Sequence, residues 1–104
     1  MSDTALMSEQ FNTYMTYLRK EKNTSDNTLQ AYRRDISKFL DYAAENDFDS
    51  FEAVTEADMA AYKGSLISSG LSVATVCRSL SALRSMYQYL MSKDIVSHNP
   101  AREV

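Results

Sequence analysis

Between Ser72 and Met91 the chain reads SVATVCRSLSALRSMYQYLM, and its apolar residues recur with the period of an α-helix. Val76, Leu80, Leu83, Tyr87 and Leu90 fall at i, i+4, i+7, i+11 and i+14, one stripe down one side. A stripe of that length has to be buried against other elements, so the remaining segments are organised around it. Its start is equally clear. Ser72 can cap the helix by accepting a backbone N–H, and Leu71 can staple onto Val76. At about 100° per residue, Ala74, Arg78, Ser81, Ala82 and Ser85 fall on the opposite side. That back face is small, hydroxylated and basic, and no acid occurs between Ser72 and Met91. Small residues permit close approach, hydroxyls hydrogen-bond phosphate oxygens and arginines supply charge, so the face suits a nucleic-acid backbone. The bland alternative is an exposed, Ser/Ala-rich helix surface.

Three other segments carry the same period. The first helix is expected from about Ser8 to Lys22, with Phe11, Tyr14, Met15 and Leu18 inward and residues 1–7 as a flexible leader. Arg19, Lys20 and Lys22 at its end complement the helix dipole. Asn23 and Thr24 form a turn. Ser25 then caps a second helix to about Asn46 whose stripe is Leu29, Tyr32, Ile36, Phe39, Leu40 and Ala43. On its reverse side Asn27, Ala31, Arg34 and Lys38 line up. Arg34 and Lys38 are like charges one turn apart, a pairing eased either by an anion opposite or by Asp35 and Asp41 at i±3 of the lysine. The acidic connection from Asp47 to Val54 carries Phe48 and Phe51, expected to tuck into the core. Thr55, with Asp58 three residues on, opens a third helix, and Gly70 ends it. Met59, Tyr62, Leu66 and Ile67 are its expected inward residues, and Cys77 on the following helix is expected at the edge of the buried stripe. The two-residue junction Gly70–Leu71 leads straight into the fourth helix at a sharp angle. Two glycines and one proline leave little punctuation for a many-stranded fold, so the chain is read as all-α: one compact domain over residues 8–93. Pro100 disfavours helix at Asn99, and residues 94–104 read as a linker toward another domain.

Charge and composition narrow the function. The net charge is −3, where a DNA-binding domain is usually basic, but the acids crowd into Glu45–Asp58 while the fourth helix has only Arg78 and Arg84. The molecule is therefore polarised, with an acidic edge and a basic face. No apolar run approaches the ~20 residues of a membrane span. The first ten residues lack a signal-peptide pattern, and a single cysteine excludes an internal disulfide framework, which together fit the cytoplasm. One histidine and one cysteine cannot assemble a metal cluster, and Gly64 and Gly70 stand alone rather than in a phosphate loop. No cofactor, no small-molecule substrate and no catalytic constellation is expected of this chain.

Two stretches carry a resemblance. Thr28-Leu29-x-x-Tyr32-Arg33-Arg34-Asp35, and Ser72-x-x-Thr75-x-x-Arg78-x-Leu80-Ser81-Ala82-Leu83-Arg84-x-x-Tyr87 with a closing His98-Asn99-Pro100-Ala101, resemble the N-terminal core-binding domain of tyrosine recombinases. That family comprises phage integrases and Xer-type recombinases, and its fold is called SAM-like. The resemblance runs from about Met7 to Ala101. It implies a four-helix domain of orthogonally packed helices forming half of a clamp on duplex DNA, with the second and fourth helices toward the DNA. Carried over residue by residue, the contacts it implies are Asn27, Thr28, Arg34 and Lys38 on the second helix. On the fourth they are Ser72, Thr75, Arg78, Ser81 and Ser85, with Arg84 at the flank. The family's catalytic residues lie in a C-terminal domain beyond Val104, so this fragment is expected to bind double-stranded DNA without acting as an enzyme. By the same resemblance, other recombinase protomers on the DNA are further partners. The competing class is a helical protein–protein interaction (adaptor) module, which would expose an apolar patch or use the acidic edge instead.

Overall fold

The computed structural model describes residues 4–104, and four helices account for its architecture: α1 (Thr4–Lys20), α2 (Asp26–Glu45), α3 (Glu56–Ser68) and α4 (Val73–Ser92). No strand occurs among the described residues, and the fold is all-α as the periodicity requires. The starts of three helices follow from local chemistry. Ser25 Oγ accepts from the Thr28 N–H at 3.4 Å, and Ser72 Oγ accepts from the Thr75 N–H at 3.2 Å. Thr55 and Asp58 close a reciprocal capping box at 3.1 and 2.9 Å. Gly70, at φ +88°, ends α3 with its N–H on the Ile67 carbonyl at 3.1 Å; the left-handed backbone there is what a side chain would strain.

α4 is the hub, packed against all three other helices. Leu83, Met86, Tyr87 and Leu90 are fully buried along it, and α2 meets it with Ile36, Phe39 and Ala43. Val54, just before α3, and Met59 in its first turn are both fully buried. The acidic connection does insert its aromatics: Phe51 is buried, Phe48 partly so, and Tyr87 Oη donates to the Phe51 carbonyl at 2.8 Å. Burial drives the Tyr87 phenol above its ordinary range, which favours the protonated donor.

The fold departs from the sequence expectations in several places. Helix α1 begins at Thr4, inside the expected leader of residues 1–7, and Met7 is buried; residues 1–3 lie outside the described residues. Met7 stands four residues before Phe11 and simply extends the stripe by one turn. α1 also ends at Lys20 rather than Lys22, where Asn23 takes a left-handed conformation at φ 50°. Cys77 and Ile67 are exposed, whereas Ala82, on the expected open face of α4, is fully buried. The largest difference is the segment after α4. Residues 94–104 are read in the sequence as a linker, yet Val96, Pro100 and Ala101 are buried against the helices. Nε2 of His98 donates to the Val54 carbonyl at 2.8 Å, and the Ser97 N–H donates to the Glu52 carboxylate at 2.7 Å, with the Ser97 hydroxyl on its other oxygen. Pro100 does keep this stretch out of helix, as expected; it does not keep it off the core.

Candidate nucleic-acid interface

The surface expected to meet DNA is built from α2 and α4, which lie against each other. Both helices open on the same four-residue device. In Ser25-x-x-Thr28 and in Ser72-x-x-Thr75 the serine hydroxyl accepts the threonine N–H and donates its own proton to the threonine Oγ1, at 3.0 Å in each case. Each threonine hydroxyl thereby keeps its own proton for an acceptor outside the helix. The first turn of α4 carries no acid, whereas α2 has Asp26 there, so the α4 terminus is the more attractive to an anion.

Further along, the two helices are tied by charge. Arg78 on α4 donates from Nε to one oxygen of Asp35 at 2.9 Å and from Nη2 to the other at 3.0 Å. The Asp35 side chain is 5 % exposed and that of Arg78 is 41 % exposed, so the pair is rooted in the core and open at its outer end. The hydrogen bonds to Asp35, with its negative charge, raise the Arg78 pKa above its already high ordinary value. Arg34, next in sequence to Asp35, and Lys38, one turn on, are exposed, as is Asn27.

The ten expected contact residues do not form one continuous patch. Thr28 and Ser85 are brought together, lining a cleft of about 520 Å³ between α1, α2 and α4 that also takes in Lys22, Tyr32 and Gln88. Ser81 is half-buried on α4. Lys38 lines a separate depression between α2 and α3, beside Asp41 and Glu45, which offset its charge. Arg84 is turned to the C-terminal segment: Nε donates to the Ala101 carbonyl at 3.2 Å and Nη2 to the Val104 carbonyl at 3.3 Å. Asn99 completes the bracket by donating to the Arg84 carbonyl at 3.1 Å.

Sequence reasoning missed Lys22, which it assigned to the helix dipole, and the role of Asp35, which it set against Lys38. A signal for Asp35 was present. It abuts Ile36 at the edge of an apolar stripe, and the helix facing that stripe has arginines as its only charges. A buried acid needs a cation, and Arg78 was one of only two that α4 could supply. Among the described residues no cluster of side chains suited to a metal ion occurs, and no helix is long and apolar enough to cross a membrane.

The chain is a small all-α domain with a polar face shared by its second and fourth helices. It is a member of the family described as phage integrase, N-terminal SAM-like domain, which it matches over residues 11–94. Its curated relatives are tyrosine recombinases. It is 32 % identical over 92 residues to tyrosine recombinase XerD of Oceanobacillus iheyensis, covering 88 % of this chain and 31 % of that protein. To tyrosine recombinase XerC of Listeria welshimeri it is 36 % identical over 87 residues, covering 84 % and 29 %. To XerC of Pseudomonas fluorescens it is 34 % identical over 95 residues, covering 91 % and 32 %. The chain thus spans about a third of the length of the curated relatives it matches. No solved structure matches it.

Proposed function

We propose that this chain is the DNA-binding module of a site-specific tyrosine recombinase, clamping duplex DNA while a separate catalytic domain carries out integration, excision or resolution. The observation that carries the reading is the α2–α4 face, where Arg34 is exposed, Arg78 is partly exposed and the first turn of α4 carries no acid. Thr28 and Thr75 offer hydroxyl protons on the same two helices. These groups suit phosphate oxygens better than base edges, so the module supplies affinity and register rather than most of the sequence discrimination. On this reading the chain has no catalytic role of its own. Its partners are double-stranded DNA and the other recombinase protomers assembled on it.

An NMR amide titration with a short duplex at low salt tests this. Shifts should group on 27–38 and 72–85 and fade as salt rises, because displaced counterions set the affinity. Replacing Arg78 with Ala should weaken binding to unrelated sequences alike and reduce the salt slope by about 1. Shifts confined to the acidic 45–58 edge on adding a protein partner, with none on adding DNA, would instead support the adaptor reading.

A further inference from the structure

We propose that Asp35 is a positioning residue for DNA contact: its carboxylate grips Arg78 side-on and thereby aims the free edge of the guanidinium at a phosphate. The inference rests on the DNA-binding reading above. An acid placed under an arginine ordinarily counts against anion binding, because the pair is close to neutral from a distance. The geometry here argues the other way. Asp35 takes Nε and Nη2 at 2.9 and 3.0 Å, the inner edge of the planar group. What remains is the edge made by Nη1 and the second Nη2 hydrogen, two parallel N–H groups that match two oxygens of a phosphate. Since the Asp35 side chain is 5 % exposed and the Arg78 side chain 41 %, solvent reaches the pair from the arginine's side rather than the carboxylate's.

The surroundings fit the same role. Asp35 is the one buried acid among the described residues, so its charge is screened from an approaching strand by Arg78 itself. Arg34, adjacent to it in sequence, is exposed and adds a positive charge to the neighbourhood. A free arginine on an exposed helix would have to give up its rotamer freedom on meeting DNA; this one has given it up on folding. Asp35 thus exchanges some long-range attraction for a guanidinium already held in its bound pose.

The test is a binding cycle with a fluorescently labelled duplex at low salt, using the 104-residue chain, Asp35→Asn, Arg78→Ala and the double variant, with thermal melts to show that each is folded. Asp35→Asn should bind about threefold to tenfold more weakly, although it removes a negative charge from the binding face. In the Arg78→Ala background the same substitution should cost nothing further. Binding by folded Asp35→Asn that equals or exceeds wild type would overturn the proposal, as would an equal loss in both backgrounds. Should Asp35→Asn fail to fold, the Nε–H resonance of Arg78 decides the matter in the unaltered chain. It should stay protected and unshifted when DNA is added, and its loss would mean that the arginine leaves Asp35 to reach the phosphate. If the unaltered chain shows no binding to duplex, the DNA reading and this inference fall together; if only Asp35→Asn misbehaves, the DNA reading stands.

Discussion

The two arginines of α4 stand six residues apart and are put to opposite uses. Arg78 is held by a carboxylate of a neighbouring helix and stays open at its outer edge. Arg84 is half-buried and held by two backbone carbonyls of the C-terminal segment. The first holder is an anion, so it cancels much of the charge while leaving the group accessible. The second holder includes the neutral Ala101 carbonyl, and it turns the donors toward the chain. Whether an arginine is available to a phosphate thus depends on what holds it as much as on which helix face it occupies.

That contrast can be broken at either end. Arg78→Ala strands Asp35 as an unpaired acid in the core, and because the pair is open on one side we expect a loss of about 2 kcal/mol rather than the larger figure for fully buried pairs. Adding Asp35→Asn to it should recover part of that loss, so in chemical denaturation the double variant should be more stable than Arg78→Ala alone. If the double variant is the less stable of the two, the pair is not the source of the cost.

Arg84→Ala should be milder, about 1 kcal/mol, because the carbonyls it releases can turn to water. Its signature is local: the amides of residues 97–104 should lose most of their hydrogen-exchange protection while the helices keep theirs. Arg84→Lys should behave nearly as badly, since one ammonium cannot span two carbonyls in the fork geometry. Full protection with lysine would show that charge alone holds the segment.

The smallest effect concerns pH. The hydrogen bond from the Ser97 hydroxyl, reinforced by the Ser97 N–H, holds the Glu52 carboxyl below its ordinary value of 4.5. A lowered pKa in the folded state means that the ionised form supports docking above that value and that the support fades as pH falls through the lowered one. Acidification below the ordinary value of 4.5 should therefore loosen residues 97–99 before the helices respond, as read from their amide shifts. Loosening that begins at neutral pH would rule out the Glu52 carboxylate as its cause.

The difference between the two arginines also marks what could be read in advance. The capping residues Ser25, Thr55, Asp58 and Ser72, the terminator Gly70 and the buried stripe of α4 are all decided within one or two helical turns, and all stand where the sequence puts them. The wheel misplaces Cys77 and Ala82 because it shows direction but not which neighbour fills the space. Asp35 and Arg78 are 43 residues apart, and His98 and Val54 are 44 apart. No local rule joins them. The C-terminal segment in particular offers a proline, an asparagine and few apolar residues, the signature of a loop, and its docking arises from partners supplied by α4 and the α2–α3 connection.

The bracket around Arg84 has a consequence for the order in which the chain can finish folding during synthesis. α4 is complete at Ser92, yet the groups that Arg84 binds arrive only with Ala101 and Val104. A growing chain halted between those points would hold four formed helices and a bare groove where Val96, Pro100 and Ala101 belong. The last turn of assembly therefore waits on the emergence of a dozen residues that form no helix at all, and a ribosome pausing there would present the least protected form of the domain.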